Sequence, residues 1–235
     1  IGNKICYIYA PFLEIGRLKF KPNSKIMKTK LFTGFIFMFL LSLSIQAQEG
    51  VRFGVLGGVN FQNINGKDSN GDKLENDLKP GFHAGVNAML GIAPEFYLQP
   101  GILFSTKGCK FNETDVKLNV SYLEIPLNFL YRGELRNGAV LIGFGPYLGF
   151  GLTGKLKDDD GNSIDVEFSN DPGSNGTLNM RRFDAGANVF AGYELSSGIF
   201  FQLNTQLGLL GINPETSGSE TWKNTGFGLS AGYRF

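Results

Sequence analysis

The sequence is poor in the residues that most enzyme and metal sites need. Its 235 residues include one histidine, one tryptophan and two cysteines. Because His83 is the only histidine, a His-rich metal site is excluded, and a Ser-His-Asp triad would have to use that one residue. Cys6 lies near the start, so Cys109 stands alone in the rest of the chain and cannot form an internal disulfide there. This composition argues against an enzyme.

A basic excess is also missing from most of the chain. Residues 1–47 hold seven of the 22 basic residues and one of the 21 acidic residues, so residues 48–235 carry a net charge of about −5. Nucleic-acid-binding proteins normally present a basic surface to the phosphate backbone. We therefore expect no nucleic-acid partner.

The first substantial apolar run lies close to the start of the sequence. Residues 27–47 combine a short basic start after Met27, an uncharged apolar run and a polar end at Gln46-Ala47. These are the three regions of a helical secretory signal peptide, and the run is short for a transmembrane helix. We expect cleavage near Ala47, with a retained anchor as the alternative.

The domain organisation follows from this segment. Residues 1–26 precede Met27 and are expected to be a non-native upstream leader. Residues 27–47 form the predicted signal peptide, and residues 48–235 form the predicted exported domain.

Eight segments of the exported part alternate between apolar side chains and small or polar ones. They are 51–61, 81–91, 96–106, 119–131, 139–153, 181–194, 199–211 and 225–235. A period of two residues is typical of β-strands, and each segment reaches the roughly 9 to 11 residues that a tilted strand needs to cross a bilayer. In the last segment, TGFGLSAGYRF, Phe227, Leu229, Tyr233 and Phe235 share one face.

A soluble lipocalin-like barrel would show the same alternation with its apolar face turned inward. Here one face is apolar and aromatic, whereas the other carries Gly, Asn, Gln, Asp, Glu, Arg and Tyr. A soluble barrel would have to use that polar face as its core. The pattern instead favours lipid outside and a polar lumen, as in outer-membrane barrels.

The connections between the segments alternate in length. They are 62–80, 92–95, 107–118, 132–138, 154–180, 195–198 and 212–222, which run long, short, long, short, long, short, long. Outer-membrane barrels have short periplasmic turns and longer external loops. The sequence thus predicts an all-β fold, an eight-stranded antiparallel up-and-down transmembrane β-barrel of the bacterial outer membrane, with both termini periplasmic and the long loops extracellular.

Three segments in order resemble a known family. They are QPGILFSTKG at 99–108, SYLEIPLNFLYR at 121–132 and GPYLGFGLTG at 145–154. Together they are similar to the PorT-like outer-membrane β-barrel domain family, over roughly residues 50–235. The resemblance implies a small eight-stranded barrel of mostly unassigned function, and no residue here establishes a PorT-type role in protein secretion.

Six charged or titratable side chains are predicted to point into the lumen. They are Arg52, His83, Glu124, Asp184, Glu194 and Arg234. They would form either a charged constriction or proton path, or a plug of paired charges. An eight-stranded interior is just wide enough for side chains, and buried charges need partners, so we expect a plug.

Carboxylates in two predicted loops are weak calcium candidates. Asp68, Asn70 and Asp72 have alternate spacing, and Asp158 and Asp160 lie in a second acidic stretch. Their oxygen atoms suit Ca²⁺, but neither loop has the full EF-hand pattern. The alternative is a pair of solvated external loops, and we predict no metal or cofactor.

The final residue, Phe235, is a predicted assembly signal. In the proteins that this chain resembles, a terminal aromatic residue is read by the outer-membrane insertion machinery. We therefore expect that machinery and membrane lipid as partners, with an envelope or surface protein as a further possible partner.

The predicted function is a structural or surface-interaction role carried by the external loops. The alternatives are a narrow porin-like channel for small solutes and an accessory factor in envelope protein export. A barrel enzyme would depend on His83 as its base.

Overall fold

The computed structural model shows an all-β protein. It describes residues 50–68, 70–112, 116–158, 162–171, 178–214 and 220–235. In those ranges, no helix is long and apolar enough to cross a bilayer. The predicted leader, 1–26, and the predicted signal peptide, 27–47, lie outside the described residues.

The described residues form eight long strands and four short ones. In chain order they are β1 (Arg52–Lys67), β2 (Asn76–Asp77), β3 (Lys79–Ala93), β4 (Phe96–Lys107), β5 (Lys110–Phe111), β6 (Lys117–Leu135), β7 (Gly138–Lys157), β8 (Ser163–Phe168), β9 (Leu178–Met180), β10 (Phe183–Leu195), β11 (Ile199–Gly208) and β12 (Thr221–Arg234).

The long strands pair in a closed ring. Each pairs antiparallel with the next long strand along the chain, in the order β1, β3, β4, β6, β7, β10, β11, β12. The last strand returns to the first, from Gly54 opposite Arg234 to Lys67 opposite Thr221. Closure leaves no long strand with an open edge, and the order is the up-and-down order that the sequence predicts.

The two ends of the ring differ. The turns at 94–95, 136–137 and 196–198 lie at one end, which we call the turn end, together with the start of β1 and the end of β12. In these turns the backbone is left-handed at Glu95, with φ 65°, and at Gly198, with φ 88°. Glycine adopts this conformation without the steric strain that a side chain introduces. The longer connections lie at the opposite end, the loop end.

Several strands extend further toward the loop end than the alternation predicts. In β6 the apolar face changes sides: Leu123 points outward, whereas Leu118 and Val120 point inward and are buried. The outward positions of this extension are polar, with Lys117 and Asn119. The pairing therefore continues past the point where the predicted pattern of apolar-outside residues stops.

The outward face below this point forms an apolar surface that we call the lipid belt. It includes Phe144, Leu148, Phe183, Phe201 and Leu203, each more than half exposed. Such a band suits hydrocarbon rather than water, because outer-membrane barrels carry a lipid-facing apolar band about 25 Å tall.

The strand extensions enclose an apolar cluster that we call the loop-end cap. Its buried members are Ile64, Cys109, Leu118, Val120, Tyr122, Val166, Met180 and Ile212. They come from the strand extensions and from the connecting segments between strands. Burial raises the pKa of the Cys109 thiol to about 12, which keeps it protonated and supports a packing role.

A second apolar layer crosses the lumen near the turn end. It consists of Met89, Tyr97, Leu130, Leu141, Phe190 and Phe200. The prediction of a small and polar inner face was therefore incomplete, because a narrow interior must be filled with side-chain volume. A Cβ atom at Gly143 would clash with the Phe190 ring, and one at Gly232 with the Phe200 ring, so glycines on neighbouring strands make room for these rings.

Candidate functional site in the barrel lumen

At the turn end, Glu194 holds the charged groups of the lumen together. Its side chain is 1% exposed and accepts hydrogen bonds from Arg52 Nη2 at 2.8 Å and Arg234 Nε at 2.8 Å. Arg132 Nη2 approaches the same carboxylate at 3.2 Å. Three guanidinium groups thus surround one carboxylate, with a second carboxylate, the exposed Glu134, 2.9 Å from Arg132 Nη1. We call this group the arginine cluster.

Nearer the loop end, the charges are reversed. Lys107 Nζ lies 2.8 Å from Glu124 Oε1 and 3.1 Å from Asp184 Oδ2, and all three side chains are at most 2% exposed. One ammonium group therefore serves two carboxylates. We call this group the lysine cluster.

Neutral side chains complete the lysine cluster. Asp184 Oδ2 accepts hydrogen bonds from Asn224 Nδ2 at 2.9 Å and from the Tyr147 hydroxyl at 3.2 Å. Gln206 Nε2 donates to Glu124 Oε2 at 2.9 Å. The Lys107 ammonium also lies 4.3 Å from the centre of the Tyr147 ring. Buried charges are tolerated when they are paired and hydrogen-bonded in this way.

Sequence reasoning missed Lys107 and Arg132, because both were assigned to loops just beyond a predicted strand. One more step of the alternation would have found each of them. Ser105 and Lys107 share the inner face of β4, and Leu130 and Arg132 share that of β6.

A polar cavity of about 60 Å³ lies between the two clusters. Gln99 Nε2, Asn128 Oδ1 and Asn188 Nδ2 are buried here and have no hydrogen-bond partner among the residues that the structure describes. A polar cavity of this size has room for a few water molecules, which would satisfy these groups. His83 and Ser230 also line it.

The predicted lumenal residues do not converge on one point. Arg52, Glu194 and Arg234 meet in the arginine cluster, and Glu124 and Asp184 meet in the lysine cluster. They are positioned by strands β1, β6, β10 and β12.

His83 lies apart from both clusters. Its Nε2 is 2.7 Å from Ser230 Oγ. The cavity beside this Ser–His pair has a volume of about 60 Å³. It is far smaller than a typical ligand pocket, which has a volume of roughly 300 Å³ or more.

The calcium candidates take part in turns at the loop end. Asp68 Oδ1 accepts hydrogen bonds from the backbone NH groups of Asn70 and Asp72, both at 2.9 Å. Asp158 accepts from the Asn162 backbone NH at 2.7 Å, whereas Asp160 lies outside the described residues. In the part of the chain that the structure describes, no three His, Cys, Asp or Glu residues are arranged to hold a metal ion.

Phe235 directly follows the last residue of β12 and lies on the outer wall. Its backbone NH donates to the Phe53 carbonyl at 2.8 Å, and its ring is 70% exposed and packs edge-on against Tyr233. The aromatic group is therefore presented to the surroundings of the barrel.

Side chains occupy the lumen at several levels. Going from the turn end, the arginine cluster and the apolar layer come first, then the small polar cavity, the lysine cluster and the loop-end cap. Most of the side chains at these levels are buried.

A family model matches most of this chain. Residues 46–213 match the family model described as outer membrane protein beta-barrel domain. A search of curated proteins found no matching relative. Solved structures that this chain resembles include OprG from Pseudomonas aeruginosa, with 13% identity over 79% of this chain and 96% of that one, at a TM-score of 0.44.

Two further structures show a similar likeness. A major outer membrane protein from Thermus thermophilus is 15% identical over 80% of this chain and 100% of that one, with a TM-score of 0.42. Ail of Yersinia pestis, solved with the heparin analogue sucrose octasulfate, is 13% identical over 80% of this chain and all of its own, with a TM-score of 0.41. Since the family model covers most of the sequence and the all-β ring agrees with it, this chain belongs to the outer-membrane β-barrel domain family of the bacterial outer membrane.

Proposed function

We propose that this protein is an eight-stranded transmembrane barrel with a closed lumen that acts as a structural or surface-interaction protein. The observation that supports this most strongly is the loop-end cap. Its apolar core lies where the outer wall is already polar, so it belongs to a region that extends beyond the lipid belt. A region with its own core can present the loop-end segments in defined positions to a partner.

The proposed orientation places the loop end outside the cell and both termini in the periplasm. It rests on the short turns lying with the start of β1 and the end of β12, as is usual in outer-membrane barrels. One added cysteine at an exposed position would test it in a Cys6→Ser background that keeps the buried Cys109, with Glu167→Cys at the loop end and Asn137→Cys at the turn end.

On intact cells, a membrane-impermeant maleimide is expected to label Glu167→Cys and to leave Asn137→Cys unlabelled until the cells are permeabilised. Labelling of Asn137→Cys alone would reverse the orientation. The Cys6→Ser protein without an added cysteine serves as the control, because its remaining Cys109 is buried.

A narrow channel is the second candidate, and the polar cavity with its unpaired amide groups favours it. Planar-bilayer recording of the purified protein separates the two functions. The closed-lumen proposal expects no unitary current from the parent protein, whereas a stable current would support the channel.

A variant can show that the apolar layer is what blocks the lumen. Phe200→Gly removes a ring that fills the lumen, and Phe201→Gly removes the neighbouring ring from the lipid belt. If the layer is the barrier, the first variant shows leak current more often than the second. Equal behaviour of the two would mean that other levels of the lumen suffice to close it.

Two finer assignments from the sequence are also proposals. Membership of the PorT-like subgroup, with a role in envelope protein export, is supported by the three segments at 99–108, 121–132 and 145–154. Crosslinking from the loop end and the turn end, followed by identification of envelope proteins, would test it. A partner found reproducibly at the turn end would favour the export role.

The second is the assembly role of Phe235, which is supported by its exposed terminal ring. Deletion of Phe235 is expected to slow membrane insertion in cells more than it destabilises the refolded barrel. Insertion at the normal rate would contradict this role.

A further inference from the structure

A polar groove indents the outer wall at the loop end, and we call it the rim groove. It has a volume of about 390 Å³ and crosses β3, β4, β6 and β7. The side chains that matter for its chemistry are three lysines, Lys79, Lys155 and Lys157, and three hydroxyl residues, Thr106, Ser121 and Thr153. None of the described residues that line it is acidic.

The rim groove lies at the upper boundary of the lipid belt. Phe82 and Phe104, which pack together with ring centres 5.7 Å apart, lie on the outer wall beside and below it. On β6, Leu123 is exposed and points outward, and Ser121, two residues closer to the loop end on the same face, lines the groove. This change from apolar to polar side chains marks the height at which bilayer headgroups meet a barrel wall.

The positive charge of the groove is poorly compensated within the protein. Lys79 is 9% exposed, and its ammonium group has a backbone carbonyl, that of Pro80, at 3.5 Å. Among the described residues, no carboxylate pairs with it. Lys79 is on the inward side of β3, as His83 is, so it borders the groove from the barrel interior. An anion bound nearby would compensate its charge.

The other two lysines are more accessible. Lys155 Nζ lies 3.6 Å from Asp165 Oδ1, but both side chains are more than half exposed, and such exposed pairs are worth little. Lys157 is exposed at the end of β7, two residues further along the same face. Both ammonium groups can therefore turn toward a ligand in the groove without breaking a strong contact.

From these observations we propose that the rim groove binds the phosphate group of a lipid headgroup. A phosphate offers several oxygen acceptors, which match ammonium and hydroxyl donors arranged around one concave surface. The groove lies at the edge of the lipid belt, which favours the phosphate of a lipid over free phosphate. The acyl chains of such a lipid would lie along the apolar wall below. Basic residues near a membrane surface attract anionic lipids in the same manner.

The test uses the full-length protein in detergent micelles, with lipid A carrying its phosphates as the probe. Binding is compared for the parent protein, for the double variant Lys155→Gln with Lys157→Gln, and for Lys223→Gln. Lys223 is a matched control, because it lies at the same end of the barrel but outside the groove. It is on β12, which pairs with β1 and β11, whereas the groove crosses β3, β4, β6 and β7. We expect the double variant to bind about tenfold more weakly, as for the loss of charge-assisted contacts, and Lys223→Gln to bind like the parent.

Two further arms identify the ligand. Enzymatically dephosphorylated lipid A is expected to bind the parent protein no better than it binds the double variant. Inorganic phosphate at millimolar concentration is expected not to displace the phosphorylated lipid. Lys79→Gln should also weaken binding, and the resistance of the folded barrel to SDS without heating shows whether that variant is still folded.

Three results would overturn the proposal. They are equal affinity of the parent and the double variant, equal affinity for phosphorylated and dephosphorylated lipid, and displacement by inorganic phosphate. The last result would mean that the groove takes a free anion instead of a lipid. None of these outcomes bears on whether the lumen conducts, so the proposed function is tested separately.

Discussion

The lipid belt and the loop-end cap share strands such as β6, but the inner and outer faces of those strands have opposite polarity in the two regions. In the belt, Leu203 points outward and Gln202 points into the lumen. In the cap, Leu118 points inward and Lys117 points outward. A strand changes from one arrangement to the other within a few residues. The apolar face is therefore set by the surroundings, hydrocarbon in one region and water in the other.

The interiors of the two regions are also occupied by different kinds of side chain. In the cap, the interior is the only dry place available, so apolar side chains collect there as they do in a soluble protein. In the belt, the outer wall takes many of the apolar residues, and the interior holds paired charges together with one apolar layer. The belt depends on electrostatic pairing more than the cap does.

The largest expected effect comes from removing the central charge of the lysine cluster. Lys107→Met leaves Glu124 and Asp184 buried without their cation, which should destabilise the barrel by about 3 to 5 kcal/mol. Urea unfolding of the protein in lipid vesicles measures this change. Lys223→Met, at the loop end, is the control and should change stability by less than about 0.5 kcal/mol. Similar values for both variants would mean that pairing in the lumen contributes little.

Truncating one leucine in each region should show that the cap is more tightly packed than the lipid-facing wall of the belt. Leu118→Ala leaves a cavity in the cap and should cost about 2 to 5 kcal/mol locally. Leu203→Ala removes the same atoms from the lipid belt, where mobile acyl chains can fill the space, so its cost should be smaller. Hydrogen exchange resolves the two regions. Loss of protection confined to the cap in Leu118→Ala is the expected result, and an equal effect of both variants would contradict it.

A lysine introduced on the outer wall should distinguish lipid from water directly. Phe201→Lys places a charge in the lipid belt and should destabilise membrane insertion by about 2 to 4 kcal/mol. Thr221→Lys places the same charge on the exposed loop-end part of β12 and should be tolerated. The folded fraction in the membrane, judged by the gel shift between heated and unheated samples, reports both. Normal insertion of Phe201→Lys would show that this wall does not face lipid.

The smallest effect concerns the reactivity of Cys109. Because burial raises the pKa of its thiol to about 12, the thiolate that reacts with maleimide is scarce between pH 6 and 9. In a Cys6→Ser background, the folded protein should label slowly at pH 8 and rapidly after denaturation. The Leu118→Ala variant should label faster than the parent if its cap opens. Rapid labelling of the folded parent protein would show that the cap is open to solvent.

Much of the belt could be predicted because its outer face repeats with period two over eight segments. The inward positions of Glu124, Asp184 and Glu194 follow from the same repeat. The cap could not be predicted in this way. In the parts of the strands that form it, the apolar side chains point inward and the outward side chains are polar. A search for apolar outward positions ends each strand at that change.

The partners of the lumenal charges were also beyond the sequence. Lys107 and Asp184 are 77 residues apart in the chain, and Arg234 and Glu194 are 40 apart. Their meeting depends on the order and stagger of the strands around the ring, which alternation within one strand does not contain. The turn-end apolar layer is a similar case, because the space for Phe200 is provided by Gly232 on the neighbouring strand.

The sequence by itself determined the strand period, the identity of the lipid-facing positions and the alternation of short and long connections, since all three are local properties of the chain. The tertiary structure decided how far the strands extend, which charges pair and which side chains occupy the lumen. Those features depend on residues brought together by closure of the ring. The physical reason is that side-chain direction is set by the local backbone, whereas burial and pairing are set by neighbours that are distant in sequence.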